Sequence, residues 1–269
     1  MANLPAKVIE RLKNEVPKFQ KILEAAKFRD VNEADTVVII TDMLEQVFGM
    51  DKYSEVTREF AIKGTYVDLA VRIDGKIEYL IEVKAVGLDL KDHHLRQAVD
   101  YAAKEGIKWV VLTNGIRWEV HRVTVMGQVS NEQVVGFNFL ELSTRREQDL
   151  EMLFMLCRRG VGKDLIEEYF ERQQACNKFT IGALLSSEPV VTTVRRMLRQ
   201  LTPGLKVTPE ELTDIITQEV IKREVQASEH GIEAQRSIKR ALARQAKKKA
   251  AQKESTSGNE PERQDVPDD

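Results

Sequence analysis

The sequence predicts an α/β fold: a mixed β-sheet flanked by helices, followed by a small helical module and a disordered tail. Apolar residues recur at helical spacing through the first fifty positions, then alternate in short runs between about 55 and 123. Helical spacing returns from 143, and beyond about 227 the chain turns basic and then acidic, which predicts a marginal helix running into a disordered tail. These shifts set the expected divisions: 1–142 for the sheet domain, 143–226 for the helical module and 227–269 for a largely disordered tail.

The first helix is read over 1–30 from Val8, Leu12, Val16 and Phe19, which fall on one stripe. Asn32 is a suitable N-cap for a second helix, and Gly49 a suitable stop. Three strands follow in EVTREFAI, TYVDLAVRI and KIEYLIEVKAV, the last two joined by Asp74-Gly75, a strong hairpin signal. DHHLRQAVDYAAKEG reads as a helix burying Leu95, Ala98, Val99 and Ala102. IKWVVLT and IRWEVHRV, separated by the Asn114-Gly115 turn, complete the predicted sheet. Trp109 and Trp118 read as packing residues of these two strands. In the module, Leu150, Leu153, Phe154 and Leu156 form an apolar stripe, which suits a core or a second copy of the chain. Thr208-Pro-Glu-Glu has the pattern of a capping box.

The 269 residues suffice for one large domain with an extension, and no run is long and apolar enough to span a bilayer. The start lacks the apolar stretch of a secretion signal, so a cytoplasmic location is expected and a membrane partner is not. Cys157 and Cys176 have neither the spacing nor the neighbours of a disulfide scaffold or zinc site. The net charge of −2 hides a basic stretch at 236–253 (+8) and an acidic one at 254–269 (−5), leaving −5 on 1–235. An acidic body argues against coating nucleic acid by bulk charge; contact would need local patches or the basic stretch. That stretch suits phosphate tracking, or a solubilising or partner-binding tail.

Charges interrupt two of the apolar strands. Glu82 and Lys84 project from the same face of YLIEVKAV, and Asp68 interrupts the strand before it. A plain two-residue turn at Asp74-Gly75 pairs Ile73 with Lys76 and sets Asp68 opposite Ile81, which separates the two acids. A bulge-type turn at Gly75, or a bulge in one strand, restores the parity and brings Asp68, Glu82 and Lys84 onto one surface. Two neighbouring carboxylates suit a hard divalent cation, with the Val83 carbonyl as a further oxygen ligand. Lys84 would then orient a water or neutralise charge on a phosphate, making the set suitable for metal-dependent phosphodiester hydrolysis. The plainer alternative is a Glu82–Lys84 pair on a solvated face, with Asp68 an ordinary exposed acid.

VDLAVRIDGKIEYLIEVKAVG, RQAVDYA and WVVLTNGIRWEVHRV together resemble the PD-(D/E)xK nuclease superfamily. The nearest branch is the N-terminal nuclease domain of type I restriction enzyme R subunits and its stand-alone relatives. The resemblance spans roughly 30–123 and implies a restriction-endonuclease-like core that cuts DNA with Mg²⁺, or alternatively Mn²⁺. Asp68 and Glu82 would be metal ligands and Lys84 the catalytic lysine, while Gln97 and Tyr101 match the branch's QxxxY motif and would position the site or the DNA. Periodicity alone instead puts Tyr101 under the sheet and Gln97 on the surface. The resemblance also implies an acid from the family's first helix that completes the metal site; Glu33 is the choice here, with Asp42, Glu45 and Glu59 as alternatives. Val67 stands where the signature has its leading proline. No helicase motor accompanies the resemblance.

CRRGVGKD (157–164) departs from a P-loop at Cys157 and Asp164, so ATP is not expected. His93 and His94 suit a phosphate contact or the polar start of a helix. The expected partner is DNA, with a second copy and a separate targeting partner as further candidates. The leading reading is a metal-dependent DNA endonuclease in restriction or phage defence. The alternatives are a catalytically silent nuclease-fold subunit that binds nucleic acid or scaffolds, and a protein-binding accessory factor.

Overall fold

The computed structural model describes residues 4–62 and 65–257, with side chains except those of 59–66, 126 and 249–257. Two compact units divide the chain, Met1–Phe170 and Glu171–Asp269.

The first unit is built on a six-stranded sheet in the order of the sequence: β1 (Val56–Ile62), β2 (Thr65–Ile73), β3 (Lys76–Val83), β4 (Trp109–Thr113), β5 (Arg117–Met126) and β6 (Gln128–Asn138). Neighbours are antiparallel except β3 and β4, which run parallel. That parallel pair requires a crossover, supplied by a 3₁₀ turn (Asp92–Leu95) and α3 (Arg96–Glu105). Two apolar clusters cover the two faces. On one face, α1 (Ala6–Phe28) and α2 (Glu33–Gln46) pack against Leu69, Val71, Tyr79, Ile81 and Val111. On the other, Leu95 of the 3₁₀ turn and Ala98, Val99, Tyr101 and Ala102 of α3 pack against Leu80, Val110 and Leu112.

Local chemistry explains the entry and exit of α2. The Asn32 side chain accepts from the Asp35 amide (2.9 Å), and Gly49 takes φ 74° beyond the helix's C-terminal end. Arg11 of α1 donates to the carbonyls of Val47 and Phe48 at 3.0 and 3.3 Å, groups that the end of a helix leaves without partners. Trp109 and Trp118 are buried, as packing residues should be.

The turn between β2 and β3 settles the parity question. Asp74 (φ 50°) and Gly75 (φ 84°) form a two-residue left-handed turn, and Ile73 pairs with Lys76. The register then shifts: Arg72 pairs with Ile77, but Val71 pairs with Tyr79 and Leu69 with Ile81. Glu78 is the extra residue of a bulge in β3. Ile77 therefore packs on the α3 side, whereas strict alternation would group it with Tyr79, Ile81 and Val83.

The sheet is longer than the sequence reading. β6 has no counterpart in that reading, because its first six residues are exposed and carry no apolar alternation; only Val134, Val135 and Phe137 are buried. The helices after 142 also divide differently. Leu150, Leu153, Phe154 and Leu156 of α4 (Glu147–Leu156) and Val161 of α5 (Arg158–Val161) join the first unit's main cluster. So do Leu165 and Ile166 at the start of α6 (Leu165–Ala175). The expected boundary at 142/143 thus falls inside a shared core, and the compact unit runs on to Phe170. Cys157 is buried there, with its thiol pushed up to about 11 by burial against the opposing effect of Arg11.

The second unit is helical: α7 (Lys178–Leu185), α8 (Glu188–Leu201), α9 (Pro209–Ile215), a π-helical turn (Ile216–Val220), α10 (Arg223–Ala227) and α11 (Glu229–Ser257). Thr208 and Glu211 exchange the two bonds of a capping box, at 2.9 and 3.2 Å. α11 is the helix expected beyond Ala227, longer than a marginal one: it runs to Ser257 and packs on α7, with Ile238 and Leu242 half-buried.

Replacing Gly75 by alanine isolates the conformational demand of the turn, since a Cβ there would meet nothing within 4 Å. A left-handed non-glycine residue costs roughly 1–2 kcal/mol. Urea unfolding of Gly75→Ala should show that loss; an unchanged midpoint would mean the turn does not need the left-handed conformation.

Candidate active site

Because Leu69 pairs with Ile81, the next residues outward, Asp68 and Glu82, face each other on the α3 side of the sheet. Glu82 is also level with Leu112 of β4, which belongs to the α3-side cluster. A hydrogen bond confirms the approach: Asp68 Oδ2 accepts from the Val83 amide at 2.7 Å. Lys84 lies just past the end of β3, its backbone amide held by the Thr113 carbonyl (2.8 Å). Its ammonium reaches back to Glu82 Oε1 at 2.8 Å and across to Glu33 Oε2 at 3.4 Å. Glu33 is in the first turn of α2, where the helix dipole favours an acid. The side chains of Glu82 and Lys84 are each 14% exposed and that of Glu33 48%, so the pair is sheltered and Glu33 is its more exposed neighbour.

Of the four candidate acids, Glu33 is the one that meets Lys84. Asp42 and Glu45 instead hold Lys52, at 3.6 and 2.9 Å. The side chain of Glu59 lies outside the described residues. Tyr101 is buried in the α3-side cluster, and Gln97, one turn earlier, is exposed. Val83 turns its side chain into the opposite cluster, while its peptide stays between the two acidic residues' strands.

The electrostatics follow from three carboxylates around one ammonium. Burial raises the Glu82 carboxyl, and the charges of Asp68 and Glu33 add to that against the pull of Lys84. Burial would lower Lys84, but its bond to Glu82 and the charges of Glu82, Glu33 and Asp68 outweigh it and hold the ammonium protonated. Removing one member would leave a sheltered charge without its partner.

Asn114 was singled out by sequence only as part of a turn, yet it organises the site's border. Its Oδ1 accepts from the amides of Ile116 and Arg117, and its Nδ2 donates to the Leu88 carbonyl at 2.9 Å. The loop leaving Lys84 is thereby tied to the β4–β5 turn. His94 flanks the same region. Its Nδ1 accepts from the Lys91 amide (3.1 Å), and its pKa is lowered by burial, then by His93, Lys84 and Lys91.

The donor chemistry suits a hard divalent cation. The Asp68 and Glu82 carboxylates offer oxygen donors, and the strain on the Glu82 charge is the kind that a cation relieves. Among the described residues, no three His, Cys, Asp or Glu side chains already converge as a metal centre. The fitting set is therefore Asp68, Glu82 and the Val83 carbonyl, with water completing the shell, as Mg²⁺ commonly requires.

Residues 47–135 match the family model described as Type I restriction enzyme R protein N terminus (HSDR_N). The match takes in β2, β3 and α3, and so Asp68, Glu82, Lys84, Gln97 and Tyr101; Glu33 lies outside it. No curated protein and no solved structure matches the chain. The chain thus resembles the N-terminal domain of a type I restriction R protein, and the match supports a restriction-related nuclease domain. Among the described residues, no helix is long and apolar enough to cross a membrane.

On the same face, β5 carries His121, 4% exposed, with Nδ1 3.2 Å from Asn131 Oδ1 and Nε2 3.6 Å from Glu119. Burial lowers its pKa despite Glu119 and Asn131. The folded chain resists the proton that the unfolded chain accepts. Stability from this group is therefore full above the ordinary histidine value of about 6.5 and falls as pH drops towards the lowered one. Melting temperatures of wild type and His121→Gln between about pH 7.5 and 5 should diverge, with wild type declining more steeply. Parallel curves would remove His121 from the account.

Proposed function

We propose that this chain is a metal-dependent endonuclease that hydrolyses DNA phosphodiester bonds in restriction or phage-defence DNA processing. The observation that carries the reading is the convergence of Asp68, Glu82 and Lys84 on one face, brought about by the Glu78 bulge. Asp68, Glu82 and the Val83 carbonyl would hold Mg²⁺ or Mn²⁺. Such an ion activates water and stabilises charge on a phosphate. Lys84, kept protonated by its acidic neighbours, would hold the attacking water or the phosphate oxygens. Glu33 restrains that ammonium from the α2 side. Gln97 and Tyr101 would position the DNA or the site's helix, in keeping with the restriction-family match. That match also makes DNA the expected substrate, with further subunits as partners.

One observation favours a second reading. Lys84 pairs with both Glu82 and Glu33, a closed arrangement that a catalytically silent, nucleic-acid-binding subunit could retain for stability.

Plasmid and single-strand cleavage separate the two. Wild type should cut only with Mg²⁺ or Mn²⁺, and Lys84→Ala and Glu82→Ala should each be slower by roughly 100-fold or more. DNA binding without cutting by wild type would favour the silent subunit. Metal-independent cutting, or equal rates in the variants, would remove the proposed site.

A further inference from the structure

The restriction-related match ends at residue 135, and the strongest uncompensated charge in the chain lies well beyond it, on α11. At 100° per residue, Arg236, Arg240, Arg244, Lys247 and Lys248 fall within an arc of about 120°. All five are exposed, and none takes part in an ion pair among the described residues. The opposite side of the helix presents Ile238, Leu242 and Ala246, which line a groove with Ala183 of α7 and Pro189 of α8. One face of α11 is thus committed to its own unit, and that packing fixes the direction in which the cations point.

Like charges one turn apart on a helix repel and destabilise it. Within α11 the sequence offers little relief: Glu229 and Glu233 flank the start of the cationic face, but no acid occurs from 234 to 253. The rest of the chain, 1–235, is net acidic, so bulk charge would not draw in a polyanion. Between Arg236 and Lys248 the face runs about 18 Å, a length over which duplex DNA carries roughly ten phosphate charges.

We infer that this face of α11 docks the phosphate backbone of nucleic acid, independently of sequence, as a holding surface separate from the Asp68–Glu82–Lys84 site. The inference rests on the nuclease reading only for the choice of polyanion. Arginines supply planar forks of donors matched to phosphate oxygens. Contacts of this kind position the backbone and carry no sequence information.

The test is fluorescence anisotropy of the full chain with a labelled mixed-sequence DNA duplex. EDTA prevents cutting, and salt is varied from about 50 to 200 mM. The triple variant Arg236→Gln/Arg240→Gln/Arg244→Gln should bind at least about tenfold more weakly at the low-salt end. Its slope of log K against log salt should be shallower by roughly 2.7, about 0.9 for each phosphate no longer neutralised. The same three positions changed to lysine should keep most of the slope, which separates charge from any effect on folding. Lys7→Gln/Lys13→Gln/Lys21→Gln, three exposed cations of α1, should leave it unchanged. An unaltered slope in the arginine-to-glutamine variant, an equal loss in the α1 control, or no duplex binding by wild type would overturn the inference. Cleavage with Mg²⁺ is read separately, so loss of the nuclease reading alone would appear as binding without cutting.

Discussion

The arrangement depends on the register between β2 and β3. Carboxylates are admitted to apolar strands only where they find partners, and Asp68 finds the Val83 amide while Glu82 finds Lys84. The Glu82–Lys84 pair lies within one strand, so it is the approach of Asp68 to that pair that needs both acids on the same side of the sheet. The two-residue turn alone would put them on opposite sides; one extra residue, Glu78, reverses that. The cost of the bulge falls near the turn, where Glu78 stays mostly sheltered and pairs with Lys76 at 3.0 Å. Beyond it, Leu69 and Ile81 return to regular pairing in the main core. The bulge separates what the turn requires from what the polar cluster requires.

Much of this was legible in the sequence because it follows from counting. Alternation and turn chemistry place the strands, and side-chain parity requires a bulge somewhere between Asp68 and Glu82. Which of two devices supplies it is not a matter of counting, since both restore the same parity. The choice among Glu33, Asp42 and Glu45 depends on where α2 docks on the sheet, which no local pattern records. Its N-terminal end meets Lys84, and its C-terminal half meets Lys52. Asn114 showed itself only as a turn residue because its bond to Leu88 joins segments 26 residues apart. β6 escaped because an exposed ribbon has no buried face to impose a period. α11 read only as a marginal helix because its buried stripe is sparse and the lysines and arginines dominate its composition.

The two units use charge in contrasting ways. In the first, the cations of the polar cluster and of the α6 attachment are engaged: Lys84 by two acids, and Lys108 and Arg122 by Glu167. Such pairing fixes geometry and leaves little attraction for a distant polyanion. In the second, one face of α11 presents five exposed cations without acidic ion-pair partners among the described residues. On the proposed reading, positioning chemistry and gathering charge would fall to separate parts of one chain, which suits an acidic body that acts on a polyanion.

The bulge would assemble a cation-binding pair, and metal binding tests this without reference to turnover. Isothermal titration of Mn²⁺ into the full chain should show a site that is lost in both Asp68→Asn and Glu82→Gln, while Asp42→Asn binds as wild type does. Equal Mn²⁺ binding in all four proteins, or none in wild type, would contradict the account and leave Glu82 and Lys84 as a structural ion pair.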